Sequence, residues 1–91
     1  MSRVARHVRV TGLVQGVFFR GWAAEQARTL GVAGWVRNDP DGSVEGYLEG
    51  DEGQVQQLID QLHHGPPSAH VAQVAVEEVT PEGADRFDVR H

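Results

Sequence analysis

The residues of this sequence best suited to chemistry are an arginine, an asparagine and the loop ahead of the arginine. In Val14-Gln15-Gly16-Val17-Phe18-Phe19-Arg20, a glycine precedes the arginine within a stretch that shows neither helical nor alternating periodicity. Gly16 lets the main chain come close to a ligand or adopt a positive φ. Arg20 offers a planar, permanently charged fork that can grip two oxygens of one phosphate. With a helix starting near Arg20, the N–H groups of Gln15, Gly16, Val17, Phe18, Phe19 and Arg20 can converge at its positive end, where an anion is favoured. The chemistry these types suit is the binding of a phosphate group, although a plain strand-to-helix turn accounts for the same pattern. Asn38, just before Asp39-Pro40, is a second polar candidate; asparagine at such a place also serves as a turn former.

The flanking segments say where these residues must stand. Val8 and Val10 alternate with His7, Arg9 and Thr11, which predicts a strand ending at Gly12. Ala23, Ala27 and Leu30 share one helical face, predicting a helix over Gly21 to Leu30 with Gly31 as its C-terminal cap. Val32 to Asn38 and Val44 to Glu49 read as two strands of a hairpin around Asp39-Pro40-Asp41-Gly42. Asp51 is placed to cap a second helix, with Gln54 completing a capping-box-like pair; Val55, Leu58, Ile59 and Leu62 form its apolar face. Gly65-Pro66-Pro67-Ser68 stops that helix, Val74 and Val76 mark a fourth strand, and Phe87 with Val89 a short fifth one after the Pro81-Glu82-Gly83 turn. The order βαββαβ plus a short terminal strand predicts an α+β, ferredoxin-like sandwich: two helices on one face of a mostly antiparallel sheet. In a βαβ unit the two strands run parallel, so the loop after the first and the residue closing the second share one rim. Arg20 and Asn38 can therefore face one pocket.

Composition narrows the function classes. The chain has 91 residues, which predicts one domain over residues 1–91 with a modest core and a small or shallow ligand site. The formal net charge is −5, against general nucleic-acid binding, which needs clustered positive charge. Every basic residue other than histidine is an arginine, and there is no cysteine, so thiolate chemistry and disulfides are excluded and a reducing compartment fits. Met1-Ser2-Arg3-Val4-Ala5-Arg6-His7 leads into no apolar leader segment, and no apolar run approaches the roughly 18 residues of a membrane span. A cytoplasmic protein without a membrane partner is expected.

The loop then takes on a sharper meaning. Gly12 to Arg20 resembles the acylphosphatase signature, in which a glycine is followed by Val-Gln-Gly-Val, one variable residue, an aromatic and arginine. Leu30-Gly31-Val32-Ala33-Gly34-Trp35-Val36-Arg37-Asn38 is similar to that family's second signature, and Asp41-Gly42-Ser43-Val44-Glu45 to its hairpin continuation. The resemblance runs from about residue 5 to the end, taking in Gly65-Pro66-Pro67 and Phe87-Asp88-Val89, and no key position is missing; Phe18 fills the variable slot.

The resemblance implies hydrolysis of acyl phosphates to a carboxylate and inorganic phosphate, with Arg20 binding the phosphate, Asn38 orienting the water and the amides of Gln15 to Arg20 cradling the anion. Neither metal nor cofactor is expected. A carboxylate leaving group, with a conjugate acid of pKa about 4, departs without a general acid. The loose phosphoryl transition state needs chiefly positioning and positive charge. The expected ligands are a small acyl phosphate and, as anions, inorganic phosphate, sulfate or chloride; a monomer is the default. Carbamoyl, acetyl, bisphosphoglyceryl and aspartyl phosphates all fit.

Other residues read as structural. His63 and His64 are adjacent rather than at ligand spacing, and His7, His70 and His91 are scattered, with His91 expected to be mobile. Trp22 and Trp35 are expected in core or subsurface packing, and Phe18 and Phe19 to diverge, one inward and one toward the pocket mouth. Glu77-Glu78 and Asp51-Glu52 read as solvated charge. Ser43 and Ser68 are expected away from the loop, leaving water as nucleophile. The alternatives are a non-catalytic anion-binding module, either alone or within a larger carbamoyl-transfer enzyme, and an RNA-binding domain. The chain length speaks against the larger enzyme, and the acidic neighbours of Val8, Val10, Tyr47 and Leu48 speak against RNA.

Overall fold

A computed structural model describes residues 2–91; Met1, which opens the segment read for a leader, lies outside them. The elements are β1 (Arg3–Leu13), α1 (Phe19–Leu30), β2 (Ala33–Asn38), β3 (Val44–Asp51), α2 (Glu52–His64), β4 (His70–Val79) and β5 (Phe87–Arg90). They form one sheet in the order β4-β1-β3-β2-β5. Every neighbouring pair is antiparallel except β2 and β5. The α+β, ferredoxin-like architecture expected from the element order is the one observed.

The alternation of β1 works because the strand is paired on both sides, with β3 from Arg3 to Val10 and with β4 from Ala5 to Leu13. Its apolar positions Val8 and Val10 face the helices. There they meet Val36 and Leu48 of the sheet, Phe19, Ala23 and Ala27 of α1, and Val55, Leu58, Ile59 and Leu62 of α2. Removing these side chains from water is the main favourable term for a chain of this size. Among the described residues, no helix is long and apolar enough to cross a membrane.

Several boundaries differ from expectation. β1 runs past Gly12 to Leu13, because the register slips between Thr11 and Gly12 and pairing with β4 continues beyond the slip. Gly12 permits this: at φ 120°, a Cβ there would lie 2.2 Å from the His70 carbonyl oxygen. α1 begins at Phe19 rather than Gly21, since Phe19 is itself a core anchor, only 2% exposed. Arg20 therefore lies within the first turn of the helix. β2 starts at Ala33 rather than Val32, and Gly31 caps α1 as the sequence implied. Asp51 stands at the N-cap of α2 but makes no side-chain cap hydrogen bond, so the expected capping pair with Gln54 does not form. One of the free N–H groups there, on Glu52, instead donates to the Ser2 carbonyl at 3.0 Å.

On the helix-free face a carboxylate locks the chain ahead of β5. Glu49 is fully buried and accepts from the N–H groups of Glu82, Gly83 and Ala84 at 3.0–3.1 Å, from the Tyr47 hydroxyl at 2.6 Å and from Arg3 Nε at 2.7 Å. Burial pushes its carboxyl up, but the bonds from Tyr47, Ala84, Arg3 and Glu82 together outweigh burial and hold it at about 2. Trp35 lies half-buried on the same face, beneath the guanidinium groups of Arg90 and Arg37 at 4.5 and 5.7 Å from its ring centroid. Trp22 packs against Phe19 with ring centroids 5.5 Å apart.

Candidate active site

β1 and β2 both run antiparallel to β3, and Val10 and Asn38 are both paired to Val44. The C-terminal ends of β1 and β2 therefore open on one rim of the sheet. The chain leaving β1 turns through Gly16 at φ 75° and Phe18 at φ 61° before entering α1. Positive φ at these positions curls the main chain into a concave turn. The N–H groups from Gln15 to Gly21 have no acceptor among the described residues, and no acidic residue occupies the first turn of α1. A row of free donors at a helix N-terminus is an anion site in waiting.

Arg20 and Asn38 meet in a cleft of about 260 Å³, lined also by Val14, Gly16, Phe18, Phe19, Gly21, Val89 and His91. The Arg20 guanidinium donates from Nη1 to the Arg90 carbonyl at 2.6 Å, and the same nitrogen lies 3.4 Å from His91 Nδ1. Its Nε and Nη2 have no acceptor among the described residues, and no carboxylate pairs with it there. One edge of the fork is thus anchored and the other is free to receive an anion.

Asn38 is not spent on the turn. The hairpin closes through Asp39 N–H to the Ser43 carbonyl at 2.9 Å and Gly42 N–H to the Asp39 carbonyl at 3.1 Å, while Asp41 Oδ1 accepts from Ser43 N–H at 2.9 Å. Asn38 Oδ1 is buried without a hydrogen-bond partner among the described residues. A buried acceptor left unpaired is costly, so its presence at a cleft calls for a donor such as water.

Of the loop residues, Gly16, Phe18, Phe19 and Arg20 line the cleft, whereas Gln15 and Val17 do not. Gln15 Nε2 donates to the Asp39 and Ser43 carbonyls at 2.8 and 2.9 Å, fastening the loop to the hairpin beside Asn38. Val17 packs against the core. Ser43, expected away from the loop, meets it through this carbonyl; its hydroxyl is taken by Asp41 at 2.6 Å and Arg9 at 2.7 Å. Phe18 and Phe19 diverge as expected, Phe19 inward and Phe18 70% exposed at the cleft.

Nothing in the sequence marks Val89 and His91 as cleft residues; His91, which reads there as a scattered terminal histidine, stands beside Arg20. Parallel pairing of β5 with β2, from Gly34 opposite Phe87 to Arg37 opposite Arg90, brings them there. A larger groove of about 480 Å³ runs between the end of α1 and β5. Its Arg28 is occupied by the Phe87 carbonyl at 2.9 Å, and neither Arg20 nor Asn38 lines it. The smaller cleft is where the polar groups converge.

Comparison with known proteins bears on this cleft. Residues 6–89 match the family model for acylphosphatase. An acylphosphatase of Thermococcus kodakarensis is 52% identical over 89 residues, spanning 98% of each chain. A crystal structure of acylphosphatase from Bacillus subtilis superposes with a TM-score of 0.94 at 35% identity, over 97% of this chain and 99% of that one. The structure of an acylphosphatase from Coxiella burnetii gives 0.93 at 40% identity, over 97% and 93% of the two chains.

Proposed function

The chain belongs to the acylphosphatase family and is a hydrolase of small acyl phosphates, and we propose that it works without a metal or cofactor, by direct attack of a water that Asn38 orients on a phosphoryl group held by Arg20. The observation that carries this reading is that the Arg20 fork and Asn38 Oδ1, the one with a free edge and the other without a partner among the described residues, share one cleft at a helix end whose N–H donors are likewise free there.

In this reading the free edge of Arg20 and the loop amides take the equatorial phosphoryl oxygens, where charge gathers in a loose transition state. Asn38 Oδ1 accepts from the attacking water and holds it in line with the scissile bond. The water oxygen bonds to phosphorus, and the bond from phosphorus to the acyl oxygen breaks with its electron pair on the carboxylate. The water proton passes to a phosphoryl oxygen. No protein acid is needed, because a carboxylate of pKa about 4 leaves unprotonated at neutral pH. No covalent phosphoenzyme forms; Ser43, with its hydroxyl held by Asp41 and Arg9, is not available as a nucleophile.

In the same reading inorganic phosphate, sulfate or chloride occupies the loop as an anion ligand, and residues 1–91 act as one cytoplasmic, monomeric domain. A non-catalytic role is not favoured, since relatives about half identical over nearly the whole chain carry the enzyme's name. The test is hydrolysis of benzoyl phosphate in EDTA by the wild type, Arg20→Ala and Asn38→Ala. Metal-independent turnover lost in both variants supports the assignment; a folded, phosphate-binding but inactive wild type, or a burst of phosphoenzyme under rapid quench, overturns it.

A further inference from the structure

Phe18 combines features that are each unfavourable alone. It is the one residue other than glycine with positive φ among the described residues, a conformation in which a bulky side chain is crowded. It is also 70% exposed, whereas its neighbour Phe19 is a core anchor. Its ring lies back over Gly21: a Cβ at that glycine would come within 2.4–3.0 Å of three Phe18 ring carbons. Gly21 is a poor helix former placed in the first turns of α1, so a second local preference is given up at the same spot. Together the two departures produce one result, an aromatic ring seated on the helix and exposed at the cleft that holds Arg20 and Asn38.

We propose that Phe18 is the specificity-determining platform for the acyl end of the substrate, favouring acyl phosphates with flat, apolar acyl groups over small polar ones; this rests on the phosphoryl end being bound as proposed above. With phosphorus held between Arg20 and the loop amides, the acyl group must extend toward the cleft mouth. Besides the ring, the partly buried Val89 lends the cleft apolar surface, over a floor that includes the buried Val14. Among the described residues Arg20 is the only arginine lining the cleft, and in the proposed reading it holds the phosphoryl group, so a second anionic group on the substrate finds no matching guanidinium. An aryl acyl group gains both apolar burial and offset stacking on the ring.

The test compares binding of two uncleavable isosteres, acetonylphosphonate and phenacylphosphonate, as competitive inhibitors of benzoyl phosphate hydrolysis. The chains are the wild type, Phe18→Asn and Phe18→Tyr. Asparagine tolerates positive φ and removes the ring, while tyrosine keeps it. The expected result is that the wild type binds the phenacyl compound about tenfold more tightly than the acetonyl one. That preference falls to within twofold in Phe18→Asn and returns in Phe18→Tyr. A wild type without the preference, or a preference unchanged in Phe18→Asn, overturns the proposal while leaving the hydrolase reading intact. A wild type that hydrolyses no acyl phosphate overturns both. Should Phe18→Asn fail to fold, Phe18→Gly, which also accepts the positive φ and lacks the ring, takes its place with the same expected loss of preference.

Discussion

Arg20 and Arg90 are joined by one short hydrogen bond, Nη1 of the first donating to the main-chain carbonyl of the second at 2.6 Å, across 70 positions of sequence. The aim of the guanidinium therefore depends on where β5 lies. β5 in turn is set by parallel pairing with β2 and by the segment that Glu49 grips just ahead of it. An arginine anchored through one nitrogen keeps its remaining fork pre-aimed, which lowers the ordering cost of binding an anion.

Arg20→Lys retains the charge and loses the fork. A lysine cannot hold the Arg90 carbonyl and two phosphoryl oxygens in one plane. The prediction is a fall in kcat/KM for benzoyl phosphate of about a hundredfold or more. The thermal midpoint should stay within a few degrees, because Arg20 is not part of the core. Steady-state kinetics beside a melting curve checks both parts, and near-wild-type turnover in Arg20→Lys contradicts the planar-grip assignment.

Asn38→Ala should separate catalysis from stability. The change removes a buried acceptor that has no partner among the described residues, so folding should lose nothing and the midpoint hold or rise. Losing the oriented water should lower kcat about a hundredfold with KM little changed. Inhibition by inorganic phosphate should survive. A variant that loses phosphate binding instead would move Asn38 from the water to the anion.

Gln15→Ala tests the fastening of loop to hairpin. Its Nε2 bonds to the Asp39 and Ser43 carbonyls hold the loop against the turn that follows Asn38. Removing them should cost about 1–2 kcal/mol in urea unfolding. The looser alignment should lower kcat about tenfold, more than it weakens phosphate inhibition. Unchanged kcat would show that the loop keeps its place without them.

Glu49 links the site to acid stability. Its folded carboxyl sits at about 2, below its ordinary value of 4.5. The stability drawn from its ionised form is complete above pH 4.5 or so, and is lost as pH falls from there toward 2. Glu49→Gln should flatten the acid side of the stability profile and cost about 2–3 kcal/mol at neutral pH, since donors gathered around a charge are left with a weaker acceptor. It should also reduce turnover by loosening β5 and thereby Arg20. Denaturant melts from pH 2 to 7 on both chains check the first part, and an identical acid slope in the two contradicts it.

Much of this architecture was legible because local periodicity records which face of an element is buried, whatever it is buried against. Val8 and Val10 at period two, and Val55, Leu58, Ile59 and Leu62 at helical spacing, each mark a face that the fold places in the core. The parallel relation of β1 and β2 follows from a short helical crossover, so the sequence implies it, and with it the meeting of Arg20 and Asn38. The periodicity puts the start of α1 too late because Phe19 enters the core from the first helical position, ahead of the repeating Ala23 and Ala27.

What the sequence by itself determined is therefore the set of elements, their apolar faces and the rim on which the polar candidates gather. Only the tertiary structure decided that Arg20 is anchored by the Arg90 carbonyl with His91 alongside, that Gln15 ties the loop to the hairpin, and that Glu49 is buried under three N–H groups. A four-residue strand such as β5 has too few alternations to reveal its partner or direction, and a glutamate in a strand looks like a solvent position until distant donors surround it. Those contacts join residues far apart in the chain, and long-range geometry leaves no local period to read.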